Sequence, residues 1–320
     1  MGPLTIASIY KPIEQEMVQV EEKLNRAIKT APPEMTEQLN HALKDGGKRI
    51  RPALTLLAGK FYHPNLDLLL PMATAVEMAH TATLTHDDTI DNSHLRRGKP
   101  TINHLWGNFC AVLLGDYLLA ASAHMAAETD SIQVMRLFAQ TIMTICRGEI
   151  EESLNLFNQS REHYFQRISN KTASLFSFAA ESGAVLSEAP DEAVQSLKSY
   201  GYNLGMGFQI VDDILDFVGQ EETVGKPVAA DLLQGIFTLP VILLLEDPKS
   251  QTIKEILAHD EEKGAKLVME MVHNSPVLEE CYHIARGFCS QACLALDKLP
   301  RNVFHDSLTD LTDYVIRRKS

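Results

Sequence analysis

Apolar residues at helical spacing along nearly the whole chain restrict the fold more than any other feature. Met17, Val20, Leu24 and Ala27 recur at three- and four-residue steps, as do Leu137, Phe138, Ile142 and Ile145, and again Val303, Leu308, Leu311 and Val315. No run of alternating strands separated by hairpin turns competes with this pattern. Long helices are predicted over 66–92, 103–129, 131–158, 161–187 and 190–218, with shorter ones at both ends. Asn65, Asp130-Ser131 and Pro190-Asp191-Glu192 supply caps or acids at three of the starts. No Gly/Ser linker divides the chain, so the reading is all-α, a single domain over residues 1–320. Three polar breaks stand out, at 45–52, 93–101 and 219–235. Such loops on a rigid scaffold are where function collects.

Composition excludes several classes. The net charge of −13 argues against a general nucleic-acid binder, which would need a basic face. Cys110, Cys146, Cys281, Cys289 and Cys293 form no CxxC pair, and although Cys289 and Cys293 lie one helical turn apart, buried free thiols are expected rather than a metal site. The first thirty residues lack a signal-type apolar core and carry Glu14, Glu16, Glu21 and Glu22. The longest uncharged run, Pro100 to Gly115, is sixteen residues, short of the roughly 20 a membrane span needs. No transmembrane segment is expected, and the expected location is the cytoplasm.

Two clusters carry the chemistry. Asp87-Asp88-Thr89-Ile90-Asp91 and Asp212-Asp213-Ile214-Leu215-Asp216 share the pattern D-D-x-x-D. With 18 Asp in 320 residues, chance supplies about 0.06 copies of it. A solvated acidic helix face accounts for one copy tolerably and for two badly. On a helix the first and fifth residues share a face, so Asp87 converges with Asp91 and Asp212 with Asp216. Carboxylates that close repel unless a cation sits between them. With no His or Cys ligand nearby they are hard oxygen donors, suited to Mg²⁺ that keeps waters and takes substrate phosphate oxygens. Two such walls could hold metal ions that clamp a diphosphate.

Cations adjoin the acids. Gly46-Gly47-Lys48-Arg49-Ile50-Arg51-Pro52 places three of them on a glycine-hinged turn, and Arg96-Arg97-Gly98-Lys99-Pro100 follows the first cluster closely. Lys171-Thr172 and Lys226 add isolated ones. Singly, each would read as a solvated surface group; together they fit an anionic substrate gripped partly by metal and partly by Arg and Lys. His80 lies seven residues before Asp87, hence on the same helix face, whereas His86 faces elsewhere.

In this order the motifs resemble the trans-isoprenyl diphosphate synthases, or polyprenyl synthetases, over nearly the whole chain. Glu77-x-x-His80, Gly148-Glu149, Lys171-Thr172-Ala173-x-Leu175-Phe176, Gly207-x-Gln209, Gly225-Lys226-Pro227 and Asp231-Leu232 complete the set. The resemblance implies a bundle of about a dozen mostly antiparallel helices around a deep apolar cavity, usually homodimeric. It implies that Lys48, Arg51, His80 and Arg97 bind isopentenyl diphosphate, and that Arg96, Lys171, Thr172, Gln209 and Lys226 contact an allylic diphosphate. Asp87, Asp88, Asp91, Asp212, Asp213 and Asp216 would hold Mg²⁺, three ions with substrate bound, and Asp87, Asp88, Asp91, Asp212 and Lys171 would be catalytic. The implied reaction is head-to-tail prenyl transfer. Two positions depart from the family's pattern, Ala229 where glycine is frequent and Ile236 where lysine is frequent. The C-terminal Arg317-Arg318-Lys319 reads as a solvated tail.

In that family, residues four and five before the first aspartate help form the cavity floor. Here they are the small Thr83 and Ala82, and the same face continues through Ala79 and Val76 to Met72. Val76 lies roughly 16 Å and Met72 roughly 22 Å below Asp87. With no aromatic on this face, a medium- or long-chain product of six to eight isoprene units is expected. Phe138 and Met143 are candidates for a floor supplied by a neighbouring helix. A geranylgeranyl diphosphate synthase is the alternative within the family. A class I terpene cyclase would lack the second Asp cluster and the Gly-Gly-Lys-Arg loop, and a non-catalytic partner subunit of a heteromeric synthase would have lost aspartates.

Overall fold

The structure, a computed structural model, describes residues 4–44, 47–218, 232, 234–247 and 261–318. Within these the chain forms fourteen α-helices. They are α1 (Ile6–Tyr10), α2 (Glu14–Thr30), α3 (Thr36–Leu43), α4 (Ile50–Gly59), α5 (Leu66–Ile90), α6 (Ile102–Ala127), α7 (Ile132–Leu154), α8 (Arg161–Ile168), α9 (Ser174–Leu186), α10 (Asp191–Val218), α11 (Leu239–Glu246), α12 (Glu261–His273), α13 (Val277–Leu296) and α14 (Val303–Arg317). Four of the five long segments are single helices where the periodicity puts them. Asn65 accepts from the Asp67 amide and Ser131 from that of Val134, so two of the expected caps are made.

Three differences from the sequence reading bear on function. A two-strand hairpin, β1 (Leu95–Arg96) with β2 (Lys99–Pro100), follows the first aspartate cluster; two residues per strand are too few for an alternation signal. The segment 161–187 is not one helix. A π-helical turn, Ser169–Ala173, interrupts it at Lys171-Thr172, and such wide turns are frequent at functional sites. Finally, α6 is long and apolar enough to cross a membrane by length and composition, with a third of its most apolar window buried. The uncharged-run criterion passed over it because Asp116 interrupts the stretch. Gly107 kinks this helix near its start.

The core explains the bundle. Between them, α4, α5 and α9 bury almost every residue along their central lengths, including Leu54, Leu57, Met72, Val76, Phe176 and Ala180. At about 25 cal/mol/Å² of apolar surface, helices buried all round are held by packing rather than by propensity. α5 lies against α6, and α10 against α9 and α13. The described buried apolar residues form two clusters, one centred on α4, α5 and α9 and the other on the C-terminal half of α10 with α11 and α13. α5 and α10 both end in aspartates, so the core fixes two acid-bearing helix ends.

Candidate active site

The first Asp cluster sits at the C-terminus of α5, where the macrodipole already disfavours negative charge, and the second lies in the last two described turns of α10. Asp87 carries the penalty most clearly. Burial, then Glu149, and then Asp91 push its carboxyl up to about 7 against the pull of Lys171 and Arg96. A cation at this point would relieve the crowding.

The paired aspartates do not share the same contacts. Asp88 is buried, and both its oxygens accept from Arg96 Nε, at 2.8 and 2.9 Å. Its backbone carbonyl accepts from Asn103 Nδ2, which also reaches the Ser93 carbonyl and so fixes the hairpin. Asp213 is buried in the second cluster and accepts from Tyr164 Oη at 2.5 Å and from Gln209 Nε2 at 2.8 Å. Gln209 Oε1 in turn accepts from Thr172 at 2.7 Å. The sequence grouped Asp88 and Asp213 with the metal-binding set; in the structure Asp88 is paired with Arg96, and Asp213 is linked through Gln209 to Thr172 on the π-helical turn. Consecutive helical residues project about 100° apart, so Asp88 and Asp213 cannot share the faces of Asp87 and Asp212.

The cationic loop is stapled by the residue that the sequence reading left without a task. Arg49 has a left-handed backbone with φ 51°. It donates to Glu21 (2.7 Å), Glu77 (2.6 Å) and the Leu43 carbonyl (2.6 Å). Such strain persists where surroundings over-determine it. The Lys48 carbonyl accepts from Tyr10 Oη at 2.9 Å, and the Lys48 ammonium lies over the Tyr314 ring. A Cβ on Gly47 would come within 2.8 Å of Arg97 Nη1, so the two cationic segments approach closely and a side chain here would displace the Arg97 guanidinium. Gly47, His80, Thr81, Leu84, Asp88, Arg96 and Arg97 line a cavity of about 60 Å³ together with residues of α3 and α6.

Arg51 stacks over Phe176 at 4.5 Å, and its Nη1 lies 3.0 Å from His80 Nε2. Burial lowers its pKa to about 10, against the pull of Glu77 and Asp212, so it stays charged. Burial first, then Arg51, Arg97, Arg96 and Arg49 hold His80 well below its ordinary value. It is therefore a neutral acceptor for Arg51. The Nε of Arg51 is buried without a hydrogen-bond partner, an unmet donor suited to a phosphate oxygen.

Lys171, on the π-helical turn, pairs with Glu149 at 2.7 Å and with Glu152. Burial opposes its charge, but Glu152, Glu149 and Asp87 outweigh it and raise its pKa. Glu152 also holds Arg167 at 3.2 Å. A Cβ on Gly148 would lie 2.8 Å from that of Asn170, so glycine there lets α7 reach the turn. Glu152, Arg167 and Tyr164 escaped the sequence reading, because positioning partners carry no motif of their own. So did Gln234, whose Nε2 donates to the Asp91 carbonyl at 3.1 Å and links the segment after α10 to the end of α5.

Two expectations are corrected. Arg318 is no solvated tail: its side chain is 3% exposed and its Nη2 lies 2.8 Å from Asp212 Oδ1. Met143 is 71% exposed on α7 and forms no floor, whereas Phe138 is buried and meets Phe178 edge-on at 5.9 Å. Ala79 and Ala82 are buried on α5, and half-buried Thr83 donates to the His80 carbonyl. Lys226 and Ala229 lie outside the described residues; Ile236 is half-buried.

Among the described residues no three His, Cys, Asp or Glu side chains close into a ready-made metal cage. Two walls of hard carboxylates, with Asp87 driven towards protonation by its neighbours, nonetheless fit a divalent cation completed by water and phosphate oxygens.

An all-α bundle bringing carboxylate-bearing helix ends next to buried Arg, Lys and neutral His defines an enzyme of the isoprenoid synthase type. Comparison with known proteins agrees. The profile of the polyprenyl synthetase family matches residues 32–274. The chain is 37% identical over 318 residues to heptaprenyl diphosphate synthase component 2 of Geobacillus stearothermophilus, covering 98% of this chain and 99% of that one. Among solved structures, a polyprenyl synthase from Caulobacter crescentus, complexed with calcium and isoprenyl diphosphate, superposes with TM-score 0.94 at 31% identity over 100% of both chains. The heptaprenyl diphosphate synthase of Staphylococcus aureus gives TM-score 0.92 at 34% identity, over 96% of this chain and 98% of that one. The chain belongs to the polyprenyl synthetase family and is a prenyltransferase.

Proposed function

We propose that the protein condenses isopentenyl diphosphate head-to-tail onto an allylic diphosphate to give an all-trans polyprenyl diphosphate of six to eight isoprene units. The heptaprenyl synthases among its relatives fall inside that range. The observation that carries the reading is the interleaving of charge. Asp87 is under the influence of Lys171 and Arg96, while Lys48 and Arg51 are under that of Asp212. Acids from two helices and cations from three segments thus address one region, which suits a diphosphate beside another diphosphate.

The assigned roles follow from these contacts. Lys48, Arg51 and Arg97 bind the diphosphate of isopentenyl diphosphate, with His80 orienting Arg51. Lys171, held by Glu149 and Glu152, and Arg96, held by Asp88, address the allylic diphosphate; Thr172 and Gln209 brace that wall, and Lys226 is assigned to it by resemblance alone. Asp87, Asp91, Asp212 and Asp216 hold Mg²⁺, which when bound neutralises charge developing on the allylic diphosphate. Three ions are proposed. As the allylic C–O bond breaks, the electron pair leaves with pyrophosphate. The double bond of isopentenyl diphosphate then attacks the allylic cation, and a pyrophosphate oxygen takes the proton that is lost. The cations act by preorganised electrostatics, and the packed apolar residues beneath the acids exclude water from the cation.

A single domain over residues 1–320, acting in the cytoplasm as a homodimer, belongs to the same proposal. The free state of all five cysteines supports a reducing compartment. The outer face of α6, with Leu105, Phe109, Val112 and Leu113 exposed, supports the dimer. The Geobacillus relative's name, a component 2, supports a second reading in which another kind of subunit covers such a face.

Incubation with Mg²⁺, farnesyl diphosphate and labelled isopentenyl diphosphate, followed by chromatography of the dephosphorylated products, tests the proposal. Products of six to eight units are expected. Farnesol or geranylgeraniol alone would overturn the chain length, and no incorporation with any allylic primer would overturn the reaction.

A further inference from the structure

The geometry points to Arg318 as an internal cation that pairs with Asp212 and competes for it with a divalent metal, so that metal loading and release of the C-terminal arm are coupled. The inference rests on the assignment of Asp212 to the metal site.

Arg318 immediately follows α14. Its Nη2 lies 2.8 Å from Asp212 Oδ1 and donates to the Phe208 carbonyl at 2.6 Å, while the guanidinium covers the Phe208 ring at 3.8 Å. The seat is nevertheless incomplete, because Nε is buried with no hydrogen-bond partner. A staple built only for stability would be expected to satisfy that donor.

Charge gives the coupling its direction. Burial lowers the pKa of Lys48 and of Arg51, and Arg318 adds a like charge that acts in the same direction on each. Asp212 is the carboxylate that acts against the crowding at both, with Glu77 the stronger one at Arg51. A metal ion and a guanidinium compete for its oxygens, and the Asp212 side chain, 41% exposed, is open to an ion from solvent. Once the metal takes Asp212, Arg318 is left among cations and is driven out.

Only the end of the helix has to move. α14 is anchored separately: Tyr200 Oη donates to the Leu308 carbonyl at 2.7 Å, Thr312 Oγ1 lies 3.2 Å from the same hydroxyl, and Leu311 and Val315 are buried. Arg318 acts through Asp212, so it is a positioning residue that sets the availability of that carboxylate.

The test is Mn²⁺ binding to the full chain, read from the electron paramagnetic resonance signal of the free ion, alone and with inorganic pyrophosphate. Arg318→Gln should bind Mn²⁺ about tenfold tighter, the size of one charge-assisted hydrogen bond removed from competition, and Arg318→Lys should fall between it and the parent. In the parent protein, Mn²⁺ should also accelerate tryptic cleavage after Arg318, with cleavage after the exposed Arg301, at the far end of α14, as the internal reference. If Arg318→Gln keeps the parent affinity while Asp212→Asn weakens binding, the exchange is wrong and the metal assignment stands. If Asp212→Asn leaves binding unchanged, both fall. Should Arg318→Gln fail to fold, the cleavage assay decides, and a rate after Arg318 indifferent to Mn²⁺ overturns the exchange.

Discussion

Replacing His80 with glutamine isolates one buried proton equilibrium. The native ring is a neutral acceptor 3.0 Å from Arg51 Nη1, with burial and four arginines all opposing its protonation. In the unfolded chain the same imidazole titrates near 6.5. Below that pH the unfolded state binds a proton that the folded state refuses, so stability falls as the pH drops below 6.5, down to the depressed folded value. The slope is about 1.4 kcal/mol per pH unit, and the 1.5 units from pH 6.5 to 5.0 amount to about 2 kcal/mol. A glutamine amide oxygen can still accept from Arg51 but does not titrate. Urea unfolding from pH 7.5 to 5.0, at fixed protomer concentration, should therefore show the parent's midpoint falling further than the variant's. With m near 3 kcal/mol/M the gap at pH 5.0 is about 0.7 M. Other titrating groups, His305 among them, act on both proteins and drop out of the difference. Midpoints that run parallel across the range would mean that folded His80 protonates as readily as unfolded, which refutes the neutral-acceptor role.

Four further outcomes are expected. Ala82→Phe should shorten the product by at least one isoprene unit with little loss of stability if Ala82 lines the growing chain; a loss of about 1–3 kcal/mol with unchanged products would mean that it packs only against protein. Asp212→Asn should raise the Mg²⁺ concentration for half-maximal turnover, whereas Asp213→Asn, which alters a contact to Tyr164 and Gln209, should lower stability by about 1–3 kcal/mol and leave that concentration unchanged. Because Asp87 titrates at about 7 in the free protein, metal binding at pH 6 should release a proton and weaken as pH falls; calorimetry in buffers of different ionisation enthalpy measures the proton, and Asp87→Asn should abolish it. Phe109→Asp places a charge on the most exposed apolar residue of α6, and light scattering should then report the mass of one chain instead of two.

The helices and the two acid clusters were legible in the sequence because each is a local statement. Periodicity sets which face of a segment is apolar, and spacing within one helix sets which aspartates converge. That Asp87 and Asp91 share a face requires no knowledge of the rest of the chain. The interruption at Lys171-Thr172 was not legible, since a π-helical turn changes the backbone without changing the apolar pattern around it. The span-like character of α6 was hidden by one charge, Asp116.

What the tertiary structure alone decided is the division of labour among identical residue types. Asp87 and Asp88 are neighbours of one kind, yet Asp88 is committed to Arg96 because the hairpin folds back onto it. Arg49 and Arg51 are two residues apart, yet one is consumed by Glu21 and Glu77 while the other keeps an unmet donor. Arg318 belongs to Asp212, over a hundred residues away in sequence, because α14 is anchored to α10. Sequence fixes which groups are available and where along a helix they point. Long-range packing fixes which partners they meet, and for buried charge the partner determines both protonation and role.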